Sequence, residues 1–168
     1  MPTSVKRYVA MDFGAIMITM QWFFGEQDLE DVYALRRRVF IEEQQIAEAD
    51  EYEGDDGACI HTVLYVNNAP VATGRVKITK DDYVIGRVAT LAEFRGKGFG
   101  RAVMQALIKA CCIMGGERQI LHAQLHARKF YEDLGFTAYG EEFEEAGIPH
   151  ICMEHVGMPK GSCAHEIG

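Results

Sequence analysis

The sequence is short of basic residues. It has 17 lysines and arginines against 25 aspartates and glutamates among its 168 residues, which gives a formal net charge of −8 at pH 7. Nucleic acids and anionic membrane surfaces are bound by basic faces, so this balance argues against both as general partners. With 48% hydrophobic and 25% charged residues, the composition is that of a soluble globular protein.

Signals of secretion and of membrane insertion are also missing. The apolar stretch Tyr8–Phe24 is interrupted by Asp12, has no small-x-small cleavage site and is short for a membrane span. The chain has five cysteines, an odd number, and the adjacent Cys111 and Cys112 are badly placed to bridge each other in a helix. We therefore predict a reduced, cytoplasmic protein without a disulfide framework.

No internal repeat, low-complexity run or linker divides the chain. Its 168 residues are enough for one domain with a buried core. We predict a loose N-terminal extension over residues 1–15, one domain over residues 16–156 and a disordered tail over residues 157–168.

Hydrophobic periodicity predicts a mixed sheet with helices on its faces. Runs rich in β-branched and aromatic residues predict strands, and apolar residues spaced three and four apart predict helices. The predicted order is strand, helix, three strands, helix, strand, helix and two strands, which is an α/β (α+β) arrangement. The predicted strands are Ile16–Phe24, Ile60–Val66, Val71–Ile78, Tyr83–Thr90, Ile120–Gln124, Phe136–Phe143 and His150–His155. The turn-forming tetrapeptide Asn67-Asn68-Ala69-Pro70 predicts that the second and third of these strands form a hairpin.

Three helices are predicted between these strands. The first follows Asp28 as its N-cap and has an apolar stripe from Leu29 to Phe40, with Arg36, Arg37 and Arg38 mostly off that stripe. The second follows a glycine-rich segment and stops at Gly115-Gly116, and the third is Ala127–Leu134.

The glycine-rich segment Ala92–Val103, AEFRGKGFGRAV, lies where a strand leads into a helix. Unpaired backbone N–H groups at such a point, together with the helix dipole and nearby cations, favour binding of an anion such as phosphate. Two nucleotide motifs fit poorly. An NTPase phosphate loop needs Ser or Thr after Gly96-Lys97, where Gly98 stands, and a dinucleotide fingerprint needs glycine where Val103 stands.

Four segments together resemble the GNAT superfamily of acetyltransferases, and its ElaA-like branch in particular. Arg95–Gly100 matches the Arg/Gln-x-x-Gly-x-Gly/Ala turn that holds the pyrophosphate of acetyl-CoA in that superfamily. RRRVFIEEQQ (Arg36–Gln45), HAQLHARKFYEDLGF (His122–Phe136) and EEAGIPHICM (Glu144–Met153) resemble three further segments of the branch. The resemblance covers about residues 16–156. It implies the GNAT acyl-CoA N-acyltransferase fold, with a mostly antiparallel central sheet, and acetyl-CoA as cosubstrate.

The resemblance also implies roles for individual residues. The glycine turn would hold the diphosphate, and backbone N–H groups at the end of the preceding strand would polarise the thioester carbonyl. Gln124 stands where many relatives have an Asn that bonds the pantetheine arm. Tyr131 would donate a proton to the departing thiolate, since a phenol with a pKa of about 10 is protonated at neutral pH. The implied cosubstrate-binding residues are Val88, Ala89, Thr90, Arg95, Gly96, Lys97, Gly98, Phe99, Gly100, Arg101, Gln124, Phe130 and Tyr131.

The residue that accepts the proton of the amine is left open. Glu43 ends the first helix within one matched segment, and His150 lies in the matched final strand, so both are candidate catalytic bases. His61, His122 and His126 are further candidates. No preformed base is needed if the amine arrives neutral.

The histidines, cysteines and carboxylates do not form a metal-binding pattern. In His150-x-Cys152-x-x-His155 the first two side chains share one face of a strand and the third falls on the other, so tetrahedral closure with Cys59-x-His61 is poor. Residues Glu48–Gly57 are acidic and contain glycine, so we predict a loop there. Its acidic run Asp50–Asp56 lacks the ligand spacing of a calcium loop, and we predict that it is solvated and lies at the substrate entrance. We therefore predict no metal.

Two functions remain open at this point. The first is an active N-acetyltransferase for a primary amine of a small molecule or peptide, which Tyr131, Gln124 and the complete glycine turn favour. The alternative is a non-catalytic acyl-CoA-binding or regulatory domain. The resemblance further implies a homodimer formed through the last strands. We expect the acceptor pocket to be built from Trp22–Glu26, Glu42–Ala58 and the final strands. Family patterns are weakest there, so the acceptor amine is not identified.

Overall fold

The computed structural model describes residues 11–25, 27–80 and 82–157. These residues form two compact units. Unit one contains the described residues up to Arg75 together with Arg87–Val103, and unit two contains those of Val76–Gly86 and the described residues from Met104 onward. Strands β4 (Ala69–Ile78) and β5 (Tyr83–Thr90) contribute residues to both units.

The remaining strands and the helices follow the predicted order closely. The other strands are β1 (Met11–Phe13), β2 (Ile16–Phe24), β3 (Cys59–Val66), β6 (Arg118–Gln124), β7 (Thr137–Glu145) and β8 (Ile148–Val156). The α-helices are α1 (Glu30–Arg36), α2 (Glu48–Glu51), α3 (Phe99–Ile113) and α4 (Arg128–Glu132). Helix α1 continues as the π-helix Arg37–Glu43, and 3₁₀ turns are formed by Asp56–Ala58, Ala92–Phe94 and Leu125–Ala127.

The strands of unit one include an antiparallel series. Strand β1 pairs antiparallel with β2, β2 pairs antiparallel with β3, and β4 is the next neighbour of β3. The turn from β3 to β4 has Asn67 at φ 49° and Asn68 at φ 65°. Two consecutive residues with positive φ form the type I′ turn that suits a tight hairpin, so the predicted hairpin is confirmed.

The core of unit one lies on one side of the first helix. Its members recur at helical spacing along α1 and the π-helix and pack with residues of β3 and of the end of β5. Burial of each such side chain contributes about 1.5–3 kcal/mol, so this face holds the helix in place. The buried residues are Leu29, Val32, Leu35, Val39, Phe40, Val63, Tyr65, Ala89 and Leu91.

The strands of unit two give the sheet its mixed character. Strand β5 pairs parallel with β6 through Tyr83 and Val84. Strands β6 and β8 are antiparallel, as are β8 and β7, and β7 is the edge strand. Parallel and antiparallel pairs together confirm the predicted mixed, mostly antiparallel sheet.

The first helix differs in detail from its prediction. The N-cap position is Leu29, and Asp28 Oδ1 accepts a hydrogen bond from the N–H of Glu30 at 3.0 Å. The winding widens into a π-helix after Arg36. The apolar pattern did not distinguish the two windings, because Val39 and Phe40 are buried in the wider one as well.

The predicted solvated loop between Glu48 and Gly57 is wrong. The segment contains α2 and a 3₁₀ turn, and the side chains of Glu51 and Asp56 are buried, with 2% and 4% exposure. Carboxylates are stable there because arginines from other parts of unit one pair with them.

Parts of the terminal predictions lie outside the described residues, namely residues 1–10 and 158–168. Strand β1 falls within the segment predicted as an extension. Cys59, Cys111 and Cys152 are not part of a disulfide, whereas Cys112 is disulfide-bonded, so the prediction of a fully reduced chain is wrong at Cys112. Of the helices in the described part of the chain, none is long and apolar enough to span a membrane.

Candidate functional site

The glycine turn of unit one lies between the 3₁₀ turn Ala92–Phe94 and the start of α3. Gly96 has φ +75° and Gly98 has φ +84°, a region that residues with a β carbon rarely adopt. A β carbon built on either glycine meets no protein atom within 4 Å, so the backbone faces open space. Gly100 lies within α3, so its place in the motif does not depend on a left-handed conformation.

Helix α3 begins directly after this turn. Its first closing bond runs from the N–H of Ala102 to the carbonyl of Gly98 at 3.0 Å. The N–H groups of Phe99, Gly100 and Arg101 precede this bond and have no acceptor within the helix. Together with the positive end of a 15-residue helix, they form a site that favours an anion.

The cations at the turn have different surroundings. The guanidinium of Arg95 donates two hydrogen bonds to the carboxylate of Glu43, at 2.5 and 2.7 Å, and its Nε donates to the carbonyl of Thr90 at 3.0 Å. Lys97 Nζ lies 5.6 Å from the ring centre of Phe94, and Arg101 is exposed. The charge of Arg95 is balanced by Glu43, so the net positive charge at the turn comes from Lys97 and Arg101.

The ion pair with Arg95 makes Glu43 a weaker candidate for the catalytic base. The hydrogen bonds from Arg95, and then its charge, lower the pKa of the Glu43 carboxyl below its ordinary value. A carboxylate that is already bonded to a guanidinium has less tendency to take up a proton from an amine. The structure thus brings Glu43 to the glycine turn, where it orients Arg95.

The end of β5 carries the backbone groups that were expected to polarise a carbonyl. Its pairing with β6 ends at Val84. Further along the strand Arg87 has φ +50°, and Val88, Ala89 and Thr90 follow before the chain enters the glycine turn. A left-handed residue within a strand interrupts the regular ladder, as a β-bulge does, and frees backbone groups for other partners.

A buried cluster of charged residues in unit one went unpredicted. Arg36 is fully buried, and its Nε donates to Glu51 Oε1 at 2.5 Å while its terminal nitrogen donates to Asp56 Oδ1 at 2.8 Å. Arg75 also donates to Asp56 Oδ1, at 2.7 Å. Arg87 Nε lies 3.3 Å from Glu51 Oε2. The helical spacing that places Leu35 and Val39 inside gave a weak signal for Arg36, since neighbouring positions can share a wide buried face.

Burial and pairing set the ionisation of this cluster. Burial alone would raise the pKa of Asp56, but the hydrogen bonds and charges of Arg36 and Arg75 lower it below its ordinary value. His61 is 1% exposed and its Nε2–H donates to the carbonyl of Asp56 at 2.9 Å. Burial lowers the pKa of His61. A side chain this deeply enclosed is a structural histidine, so it is a poor candidate for the base.

Tyr131 lies in α4 of unit two. Its ring packs edge-on against Phe130, with 5.0 Å between ring centres, and against Phe136 at 6.1 Å. The two rings of the Phe-Tyr pair thus contact each other. Burial raises the pKa of Tyr131 to about 12, so its hydroxyl is protonated at neutral pH.

Gln124 and His150 stand opposite each other in the pairing of β6 with β8. His150 is 6% exposed, its Nδ1 lies 2.6 Å from the carbonyl of Ile148 and its Nε2 lies 3.6 Å from Glu145 Oε2. A carbonyl only accepts, so Nδ1 of His150 is protonated and the neutral ring keeps its lone pair on Nε2. The structure therefore holds His150 in the tautomer that a base requires at Nε2.

The remaining histidines have other surroundings. His122 is exposed, and its Nδ1 lies 3.1 Å from the other carboxylate oxygen of Glu145. That hydrogen bond, opposed by desolvation and aided by the charge of Glu145, raises the pKa of His122. His126 is exposed, and His155 Nδ1 lies 2.8 Å from Gln119 Oε1. Within the ranges that the structure describes, no three His, Cys, Asp or Glu side chains are grouped so as to hold a metal ion.

A cavity of about 460 Å³ opens beside α1 in unit one. Two tyrosine rings, Tyr33 and Tyr52, meet edge-on in its wall with 5.4 Å between ring centres. Asp56 and Arg37 add one charge of each sign to the lining. Tyr52 and Asp56 belong to the Glu42–Ala58 stretch that was expected to contact the acceptor.

Comparison with known proteins agrees with this geometry. Residues 26–156 match the family model described as acetyltransferase (GNAT) domain. The protein YyaT of Bacillus subtilis (strain 168) is 37% identical over 131 residues, which is 76% of this chain and 88% of YyaT. Protein ElaA of Escherichia coli (strain K12) is 35% identical over 138 residues, which is 77% of this chain and 90% of ElaA.

Solved structures give the same result. The crystal structure of Escherichia coli ElaA matches with a TM-score of 0.75 and 32% identity, over 83% of this chain and 99% of that chain. An aminoglycoside 6'-N-acetyltransferase, complexed with coenzyme A, has the same fold with a TM-score of 0.67 at 15% identity, over 84% of this chain and 98% of that chain. The chain therefore belongs to the GNAT acetyltransferase family, in its ElaA-like branch.

Proposed function

We propose that this protein is an acetyl-CoA-dependent N-acetyltransferase that moves the acetyl group directly to a primary amine of a small molecule or peptide. The observation that carries the proposal is the glycine turn of unit one. Gly96 and Gly98 hold an open, left-handed backbone directly before the N-terminus of a long helix. This arrangement suits a diphosphate, and one structural neighbour was solved with coenzyme A bound.

The turn binds the diphosphate through backbone and side-chain groups together. The N–H groups at the start of α3 donate hydrogen bonds to phosphate oxygens, and Lys97 and Arg101 supply positive charge. Arg95 acts indirectly in this proposal, since its guanidinium is bonded to Glu43 and to the carbonyl of Thr90. It holds the turn against the end of β5 and the end of the π-helix.

The transfer itself is a single exchange at the thioester carbon. The lone pair of the neutral amine forms the new N–C bond, the C–S bond breaks, and its electron pair leaves on sulfur. The nitrogen loses one proton, and the thiolate gains one hydrogen-bond donor or proton. Backbone N–H groups at Val88 to Thr90 stabilise the negative charge that develops on the carbonyl oxygen.

We propose His150 rather than Glu43 as the group that takes the amine proton. His150 presents an unprotonated Nε2 in its neutral form, and Glu145 Oε2, 3.6 Å away, stabilises the imidazolium that forms. Glu43 is committed to Arg95, and its lowered pKa makes it the weaker base.

We propose Tyr131 as the donor to the departing thiolate. The pKa of about 12 keeps its proton in place at neutral pH. Because an ordinary thiol has a pKa of about 8.5, the hydroxyl stabilises the thiolate by donating a hydrogen bond rather than by giving up its proton completely. Gln124 is proposed to bond the pantetheine arm with its side-chain amide.

A thiol-release assay tests the function. Purified protein is mixed with acetyl-CoA and a panel of primary amines, and free coenzyme A is followed with a thiol reagent while the amine is checked for an added acetyl group by mass spectrometry. The proposal expects release that depends on one class of amine and a matching acetylated product. Binding of acetyl-CoA without amine-dependent release across the panel would favour the non-catalytic acyl-CoA-binding domain instead.

A further inference from the structure

Arg87 has a backbone conformation that its residue type disfavours. Its φ of +50° lies in the left-handed region, within a strand and directly before the three residues that are proposed to face the thioester carbonyl. A non-glycine residue stays in that region only where the surrounding structure holds it. Such outliers concentrate at functional sites.

The side chain of Arg87 is held from α2. Its terminal nitrogen donates to the backbone carbonyls of Asp50 and Glu51, each at 3.3 Å. Its Nε lies 3.3 Å from Glu51 Oε2 and is buried without a hydrogen bond among the described residues, so this contact is an ion pair. The carboxylate of Glu53 lies 3.5 Å from the terminal nitrogen. Four contacts to the short segment 50–53 give the guanidinium a single position.

Glu51 is itself held by a second arginine. Arg36 Nε donates to Glu51 Oε1 at 2.5 Å, and its terminal nitrogen donates to the Glu51 carbonyl at 3.0 Å. Arg36 is bound in turn to Asp56, which also accepts a hydrogen bond from Arg75. The side chains of Arg36, Glu51 and Asp56 are 5% exposed or less. A buried network of paired charges of this kind is rigid, because any displacement leaves a charge without its partner.

We propose that Arg87 is a positioning residue for acetyl transfer, and that the Arg36–Glu51–Arg87 chain fixes the bend in β5 that aims the following N–H groups at the thioester carbonyl. The inference rests on the proposed function, since it assigns a role within the same site. The guanidinium touches neither the acetyl group nor the acceptor in this proposal. It acts through the backbone of the residues that follow it.

A purely structural role makes a different prediction. If the network only stabilises unit one, its loss lowers the stability of the fold, and the folded molecules that remain polarise the thioester as before. If Arg87 positions the backbone, its loss weakens polarisation in molecules that are folded and still bind acetyl-CoA. The diphosphate contacts lie at the glycine turn, so affinity for acetyl-CoA depends little on the bend.

The experiment reads the carbonyl directly by infrared difference spectroscopy with [1-¹³C]acetyl-CoA bound to the whole protein. Hydrogen bonds from backbone N–H groups lower the carbonyl stretching frequency relative to free acetyl-CoA. Three variants are compared with the wild type. Arg87→Ala removes the anchor and keeps the β carbon, Arg87→Gly removes both, and Arg38→Ala removes an exposed arginine of unit one that pairs with the exposed Glu93.

The proposal expects equal frequency lowering in the wild type and in Arg38→Ala. In Arg87→Ala most of the lowering is lost, while the dissociation constant of acetyl-CoA stays within about threefold. Arg87→Gly falls between them, because glycine adopts the positive φ without strain but lacks the anchor. With an acceptor amine from the panel, Arg87→Ala lowers kcat about 100-fold at nearly constant KM, the scale of losing an oxyanion donor.

If folded Arg87→Ala protein lowered the carbonyl stretching frequency as much as the wild type does, the positioning role would be overturned. If Arg87→Ala does not fold, Arg87→Gly decides the question, and undiminished lowering in that variant would overturn the role equally. Absence of acetyl-CoA binding by the wild type is a separate outcome, because it overturns the proposed function itself.

Discussion

Tyr131 is a weaker acid in the folded protein than an ordinary phenol. Burial raises its pKa to about 12, whereas the usual value is 10.0. The shift leaves the hydroxyl protonated throughout the neutral range, and it makes complete transfer of the proton to a thiolate unfavourable. A hydrogen bond that strengthens as charge develops on sulfur is the contribution left to it, and such a bond acts mainly in the transition state.

Tyr131→Phe is therefore expected to lower turnover about 100-fold, the usual scale for a general acid or an equivalent donor. Affinity for acetyl-CoA should barely change, because the ring and its packing against Phe130 and Phe136 remain. Steady-state kinetics with an acceptor amine and calorimetric binding of acetyl-CoA check the two parts separately. Tyr139→Phe is the matched control, since it removes the hydroxyl of an exposed tyrosine of unit two. If Tyr131→Phe turned over at the wild-type rate, the hydroxyl would have no catalytic role and Tyr131 would serve only in packing.

At the scale of elements, the glycine turn depends on a single backbone conformation. Gly98→Val places a branched side chain at φ +84° and in the space that a phosphate needs, so we expect loss of most acetyl-CoA binding by calorimetry. Two control variants separate the effect of backbone strain from the effect of filling the phosphate space. Gly140→Val introduces the same branched side chain at φ +73° in β7, in space equally clear of protein atoms. Gly100→Ala makes a change that the family motif tolerates.

Both control variants should bind acetyl-CoA with near wild-type affinity. Gly140→Val shares the conformational strain, so its melting temperature should fall as that of Gly98→Val does. If Gly98→Val bound acetyl-CoA with wild-type affinity, the glycine turn would not be the diphosphate site.

The buried cluster around α2 predicts a pH dependence of stability. His61 is kept neutral by burial, and its folded pKa lies below the ordinary 6.5. The unfolded chain therefore binds more protons as the pH falls below about 6.5, so the free energy of unfolding decreases in that window. The pKa of Asp56 is lowered in the folded protein. The free energy of unfolding therefore decreases further once the pH falls below about 4, the ordinary range of an aspartate.

His61→Gln is expected to reduce the loss of stability between pH 6.5 and 5, measured by urea unfolding at each pH. A glutamine amide can still donate to the carbonyl of Asp56, so the hydrogen bond is kept while the titration is removed.

Burial also lowers the pKa of His155, so part of the dependence of stability on pH remains in this variant. His122 has a raised pKa, and its contribution is present below pH 6.5 and is lost as the pH rises through the folded value. His122→Gln should leave the loss of stability between pH 6.5 and 5 unchanged. An unaltered acid slope in His61→Gln would contradict the account of this cluster.

Elements with a strong local signal could be predicted from the sequence. The Asn67-Asn68 turn and the flanking β-branched runs require no distant partner, and the hairpin was predicted correctly. The glycine turn was located for the same reason, because strand, glycines and helix are contiguous. The π-helix after Arg36 was not, since its apolar residues at 39 and 40 fit either winding.

Features that depend on distant partners could not be predicted. Arg36 meets Glu51 and Asp56 across 15 and 20 residues of chain, and only the folded structure shows that these charges neutralise each other. An acidic run read alone is assigned to solvent, which is why the segment from Glu48 to Gly57 was misjudged. The pairing of Glu43 with Arg95 spans 52 residues and was missed for the same reason.

For the whole molecule, the edge strand β7 bears on the predicted homodimer. Two apolar side chains of β8 are buried already, with Ile151 and Met153 exposed by 6% and 0%, and so do not need a partner to cover them. Strand β7 instead exposes glutamates along its length. The exposed residues are Glu141, Glu142, Glu144 and Glu145.

A dimer through β7 would bring these like charges together, so association should strengthen as salt screens them. Sedimentation at tens of micromolar, an estimate of where a modest interface is populated, is compared at about 50 mM and about 500 mM salt. The prediction is a larger dimer fraction at high salt. A monomer under both conditions would remove the homodimer from the account.

The most direct test of the central claim is the binding of acetyl-CoA to the intact protein, followed by calorimetry and by the melting temperature. A ligand that binds only the folded state stabilises it by RT ln(1 + [L]/Kd), about 2.7 kcal/mol at a hundredfold excess over Kd. We expect saturable binding with one acetyl-CoA per chain and a raised melting temperature. We also expect nearly equal affinity for desulfo-CoA, since the diphosphate contributes most of the contacts. If neither compound bound and the melting temperature did not change, the assignment of acetyl-CoA as cosubstrate would be wrong.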